Sequence, residues 1–221
     1  MEPLLAGYLL AIGAASATLI GLFIVTFKRS LTDRILAFTL LLVAGAMIAV
    51  SLGQILPTSF RSAESPLQVV LLFIAGVLAV LVLARIDAGG DQATRSLWVT
   101  VIALTLHNLP EGATPIGATL INLDTGITTA IVLALHNIPE GIAIATMARL
   151  AGVGRIVTVL LVSVAAIAEI LGASTVYFFG SEMSDATTSL ILSAVAGIMV
   201  TISAKELIPY SARILLASRK R

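Results

Sequence analysis

Seven long, nearly uninterrupted apolar stretches dominate this chain, running roughly over 4–27, 35–59, 66–86, 96–121, 125–148, 155–179 and 187–209. Each is long enough to cross about 30 Å of hydrocarbon as an α-helix. A transmembrane β-barrel would need alternating segments of about ten residues, and the sequence has none. The rest of the composition agrees. Only 11% of the residues are charged against 58% apolar, whereas a soluble domain carries about a quarter charged residues. A net charge of +1 argues against a nucleic-acid partner, and the lack of cysteine excludes disulfides, thiolate metal ligands and thiol catalysis. The expected fold is an all-α polytopic membrane protein, a helix bundle forming one transmembrane domain over 1–221.

The gaps between stretches carry charge of alternating sign. Lys28, Arg29, Arg34, Arg85, Arg95, Arg149, Arg155, Arg213, Arg219, Lys220 and Arg221 fall on one side; the other holds Arg61 with Glu2, Glu64, Asp124, Glu182 and Asp185. The positive-inside rule then puts the N-terminus outside and the C-terminus in the cytoplasm of a multi-pass protein of the cell (inner) membrane.

Two repeats run in opposite directions through the bilayer. Leu106-His107-Asn108-Leu109-Pro110-Glu111-Gly112 in the fourth span recurs as Leu135-His136-Asn137-Ile138-Pro139-Glu140-Gly141 in the fifth. More faintly, Ala44-Gly45-Ala46-Met47 with Ser51, Gln54 and Pro57 matches Ala196-Gly197-Ile198-Met199 with Ser203, Glu206 and Pro209. Inverted repeats around a midplane site characterise secondary transporters.

Ionised groups at mid-membrane cost about 2.5–3.5 kcal/mol each on insertion scales, so Glu111, Glu140 and Glu169 need a compensating ligand, a cation or a proton. A spacing of four puts His107 and Glu111 on one helix face, and His136 and Glu140 on another. Asn108 and Asn137 overlap those faces. Pro110 and Pro139 leave the carbonyls of Leu106 and Leu135 without donors. Imidazole nitrogen combined with carboxylate oxygen suits zinc, iron(II) or manganese(II). On residues alone, a proton or monovalent-cation transporter using the same carboxylates stays open, as does, less favourably, an intramembrane metallohydrolase, although no HExxH occurs.

The tandem HNxPEG motifs, with Ala204-Lys205-Glu206-Leu207-Ile208-Pro209 near the end, resemble the ZIP family of divalent metal transporters, and within it the bacterial ZupT kind. The resemblance implies an eight-helix fold in a three-two-three inverted arrangement, whose last helix has no counterpart here. It implies uptake of zinc, and of iron, manganese, cobalt or cadmium, into the cytoplasm, with the metal as transported ion and no separate cofactor. It also implies a binuclear centre among the fourth, fifth and sixth helices. His107, Glu111, His136 and Glu140 match one metal site, with Met47 as a further contributor. Asn108, Glu111, Asn137, Glu140 and Glu169 match the second. Gln54 falls at the entrance and Glu206 at the exit. The expected partners are the metal ions, the lipid bilayer and a second copy in a homodimer.

Overall fold

The computed structural model describes residues 2–27, 32–85, 91–179 and 185–217. Among them every regular element is helical. In chain order these are α1 (Pro3–Phe27), α2 (Asp33–Val50), a π-helical turn (Ser51–Ile55), α3 (Leu56–Ser62), α4 (Pro66–Leu83), α5 (Gln92–Glu111), α6 (Thr114–Ile121), α7 (Leu123–Leu150), α8 (Arg155–Phe179), α9 (Asp185–Ile202), a second π-helical turn (Ser203–Leu207) and α10 (Ile208–Ala217). Six helical runs are long and apolar enough to cross a membrane: Pro3–Thr26, Asp33–Ser62, Pro66–Leu83, Leu123–Leu150, Arg155–Phe179 and Ser189–Ala217. Helix α5 has the length but is less apolar, because His107, Asn108 and Glu111 interrupt it. With α6 it supplies a seventh passage. Of the charged residues that set the expected orientation, Lys28, Arg29, Arg219, Lys220, Arg221 and Glu182 lie outside the described residues.

Side-chain caps fix several starts. Thr32, Asp91 and Asn122 each accept from the backbone N–H three residues on, at the heads of α2, α5 and α7; such caps stabilise a helix by about 1 kcal/mol. The hydrogen bond from Thr94 N–H holds the exposed Asp91 carboxyl below the ordinary carboxylate range.

The fourth span is not one helix. It breaks between α5 and α6, while α7 runs unbroken through its own copy of the motif. The difference lies in Pro115. It removes the N–H that would bond back to the Glu111 carbonyl, which takes the Thr114 hydroxyl instead (2.8 Å). No second proline follows Pro139 within α7.

The two π-helical turns occupy equivalent positions of the fainter repeat. Leu56 N–H bonds back five residues to the Ser51 carbonyl, and Ile208 N–H likewise to the Ser203 carbonyl. A proline follows each donor, Pro57 and Pro209. Being unable to donate, each leaves a carbonyl of its π turn free, a common feature of functional sites in helices.

The helices gather into two groups. In one, α1 packs on α7 and α8, α5 on α8, and α6 on α1 and α7; in the other, α4 and α3 pack on α9, and α10 on α2. The groups meet along α2–α7 and α5–α9. Pairs within a group approach through glycine. A Cβ on Gly112 would collide with the Glu169 carbonyl, and one on Gly172 with the Leu109 carbonyl, so α5 and α8 touch backbone to backbone. The same reciprocal contact joins α1 to α7, where Gly21 meets the Ile138 carbonyl and Gly141 the Thr18 carbonyl. Small residues permit such crossings in membranes, where dispersion replaces the hydrophobic effect as the packing force.

Candidate metal centre

The two HNxPEG copies bring their polar residues together where α5 faces α7. His107, Glu111, His136 and Glu140 are all buried, and one ligand atom from each lies within 4.8 Å of the others. Glu140 Oε1 is 2.8 Å from His107 Nε2 and 3.0 Å from His136 Nε2. The first contact is a hydrogen bond; the second is off the hydrogen-bond axis, and His136 Nε2 has no hydrogen-bond partner. Glu111 divides its oxygens, with Oε2 3.8 Å from His107 Nε2 and Oε1 3.8 Å from His136 Nε2. Donor atoms around tetrahedral zinc, bonded at about 2.0–2.2 Å, stand about 3.3–3.6 Å apart. The observed separations bracket that range.

Six atoms of the motifs are buried without a hydrogen-bond partner: His107 Nδ1, Asn108 Oδ1, Glu111 Oε2, His136 Nε2, Asn137 Oδ1 and Glu140 Oε2. An unmet buried polar atom costs about 1–3 kcal/mol. A cation would engage the oxygens and the imidazole nitrogen together, where packing alone satisfies none of them.

The asparagines divide their two ends. Asn108 Nδ2 donates to the Ala165 carbonyl of α8 (3.1 Å), and Asn137 Nδ2 to the Ala14 carbonyl of α1 (2.9 Å). Each amide nitrogen is thus tied to a neighbouring helix while each amide oxygen is left open. Asn137 Nδ2 also reaches both oxygens of Glu169, at 3.0 and 2.8 Å. Glu169, on α8 and fully buried, therefore sits beside the centre through Asn137, outside the four-residue cluster. The histidine rings are 6.5 Å apart and steeply inclined.

The other sequence candidates are more distant. Met47 is fully buried in the hydrophobic core with Val43, Leu104, Ile144 and Met199. Gln54 falls in the first π-helical turn, and its side chain is outside the described residues. Glu206 sits half-buried in the second, and among the described residues no ion pair joins it to Lys205.

Sequence reasoning missed the part played by α1. Asn137 bonds to Ala14 on α1 as Asn108 bonds to Ala165 on α8, and both acceptors open similar strings: Ala14-Ala15-Ser16-Ala17-Thr18 and Ala165-Ala166-Ile167-Ala168-Glu169. The signal was there in the small residues, masked by the general richness of alanine in apolar helices. Helices α1 and α8 are a third inverted pair, embracing the motif helices α7 and α5.

Comparison with known proteins bears on the whole chain. The family model described as ZIP Zinc transporter matches residues 85–218. The zinc transporter ZupT of Escherichia coli O127:H6 is 36% identical, over 93% of this chain and 86% of its own length. That of Shigella dysenteriae serotype 1 is 35% identical over the same shares, as is that of Escherichia coli O1:K1. With tandem HNxPEG motifs meeting in a buried His–Glu centre inside an all-helical, multi-pass bundle, the chain belongs to the ZIP family of zinc transporters, a membrane transporter of divalent metal ions and not an enzyme.

Proposed function

We propose that His107, Glu111, His136 and Glu140 form the midplane site through which this transporter passes divalent metal ions, zinc foremost, into the cytoplasm. One observation carries the reading: two imidazoles and two carboxylates from antiparallel helices stand at 2.8–3.8 Å across a fully buried centre. The zinc transporters among its relatives support zinc as the cargo. Iron, manganese, cobalt and cadmium fit the same donor set.

The ion enters from the side of the acidic loops, past Gln54, and exchanges its water for the four ligands. Asn108, Asn137 and Glu169, with the two motif glutamates, offer a second position beside the first, and Met47 a soft contact from α2. Release runs past Glu206. The π-helical turns at 51–55 and 203–207 support these two gate positions, because each contains the residue in question and such turns recur at functional sites in helices. Access alternates as the group built on α1, α5, α7 and α8 shifts against the group built on α2, α4 and α9. The whole chain acts as one transmembrane domain in the inner membrane, N-terminus outside, as a homodimer.

Zinc uptake into proteoliposomes tests the assignment. Glu111→Ala and Glu140→Ala are expected to abolish uptake in protein that still inserts and folds. Wild-type uptake by either variant removes the centre from the pathway.

A further inference from the structure

The pseudo-symmetry of the centre is complete in its backbone and incomplete in its chemistry. A shift of 29 residues turns one motif into the other; a shift of 151 turns α1 into α8. Under the two shifts the contacts correspond one for one. Asn108 to the Ala165 carbonyl becomes Asn137 to the Ala14 carbonyl. Gly112 against the Glu169 carbonyl becomes Gly141 against the Thr18 carbonyl, and Gly172 against Leu109 becomes Gly21 against Ile138. Thr18 therefore holds on α1 the position that Glu169 holds on α8.

Thr18 shares with Thr26, Thr100, Thr105, Thr146 and Ser203 a buried hydroxyl without a partner, but it alone of these stands at the position matching Glu169. A common outlet for a helical hydroxyl is the carbonyl four residues earlier, as for Ser16 to Ile12 (2.7 Å), Thr39 to Ile35 (2.9 Å) and Ser174 to Ile170 (2.7 Å). For Thr18 that acceptor is the Ala14 carbonyl, which takes the Asn137 amide instead. Thr18 is fully buried, and its hydroxyl has no partner. Across the pseudo-axis, Asn108 Oδ1 is equally buried and equally unpartnered.

We infer that Thr18 is a cargo-binding residue of the metal centre, its hydroxyl oxygen meeting a divalent cation or a water that the cation retains, in the seat matching Glu169. The centre then has one carboxylate flank, on α8, and one neutral oxygen flank, on α1. A neutral hard oxygen helps zinc more than it helps the softer cadmium ion. The α1 flank therefore acts on selectivity as well as on affinity. This inference rests on the midplane centre being the cargo site.

The test compares zinc and cadmium binding by purified protein, and competitive uptake of the two ions into proteoliposomes, for Thr18→Val, Thr18→Ser and wild type. Valine keeps the volume and removes the hydroxyl; serine keeps the hydroxyl. The expected result is a shift of the zinc-to-cadmium preference toward cadmium of fivefold or more in Thr18→Val, with Thr18→Ser within twofold of wild type. If Thr18→Val does not fold, Thr18→Ala provides the same contrast with Thr18→Ser. A preference that stays within twofold of wild type in the hydroxyl-free variant overturns the inference, as does an equal shift in Thr18→Ser, since packing alone would then account for Thr18. Glu140→Gln run alongside separates the two levels: its loss of zinc binding with an unmoved Thr18→Val preference refutes only the role of Thr18, and intact zinc binding in Glu140→Gln refutes the cargo site itself.

Discussion

Replacing Glu140 with glutamine isolates the contribution of one carboxylate to the centre. Glu140 is the member shared most closely by both histidines, at 2.8 and 3.0 Å through a single oxygen. Glutamine has the same length and retains an oxygen that can accept from His107, so the packing of α5 against α7 is preserved. What is lost is the negative charge and the anionic metal ligand. Four-ligand zinc sites bind with apparent free energies of about 10–16 kcal/mol, so one ligand of four represents roughly 3 kcal/mol. At 1.4 kcal/mol per factor of ten, zinc affinity should fall about a hundredfold or more. Titration calorimetry on detergent-purified protein reads the affinity, and a thermal unfolding scan without metal checks that the variant is as stable as wild type. Glu140→Ala should lose the same affinity and also stability, because it strands the His107 imidazole in a buried site. Zinc binding by Glu140→Gln within threefold of wild type, in folded protein, would refute the argument that this carboxylate is a ligand.

Three further outcomes follow from the same geometry. Gly172→Ala would push a methyl group into the Leu109 carbonyl and part α5 from α8; loss of monodisperse folded protein is expected by size-exclusion chromatography, whereas Gly13→Ala, with nothing within 4 Å, should behave as wild type. Asn137→Ala removes three hydrogen bonds, two of them to the Glu169 carboxyl, and should destabilise the fold by about 2–4 kcal/mol; Asn108→Ala removes one, to a carbonyl, and should cost about 1 kcal/mol, a ranking that denaturant unfolding can read. Stripping metal with a chelator should leave the bundle folded, since the His107–Glu140 hydrogen bond and the glycine-mediated helix contacts hold without it, and zinc restored at a hundred times its dissociation constant should add about 2.7 kcal/mol, visible as a rise in melting temperature of several degrees.

What the sequence revealed and what it hid follow from one distinction. Polar side chains in an apolar helix are conspicuous because lipid penalises them, so His107, Asn108, Glu111 and their repeats at His136, Asn137 and Glu140 could be read directly, and the four-residue spacing placed each pair on one face. Partners that are backbone atoms leave no such mark. Nothing in the residue types of Ala14 or Ala165 says that their carbonyls hold the two asparagine amides. The break between α5 and α6 was signalled by Gly112 and Pro115, but two glycine–proline neighbourhoods that read alike, around Pro110 and Pro139, part company only through that extra proline. The family resemblance groups Glu169 with Asn137 in one site, but the form of their link, one amide nitrogen between two carboxyl oxygens, needed the packed helices.

The placement of the centre also bears on how transport works. The four cluster residues, the two asparagines and Glu169 lie on α5, α7 and α8, with α1 adding Thr18 and buttressing α7 through Ala14 and Gly21. None of the four cluster residues comes from α2, α4 or α9. The backbone contacts within the first group pass through glycines with no room for even a methyl, so those helices cannot slide past one another without collision. The seam between the groups, along α2–α7 and α5–α9, carries no such interlock; it is lined instead by Met47, Leu104, Ile144 and Met199, flexible or branched apolar chains that can exchange neighbours at small cost. A bundle rigid inside and smooth along its seam suits the rigid-body shift proposed above. On that reading the ion travels with its ligands, and the barrier to be opened on each side lies along the seam of α2–α7 and α5–α9.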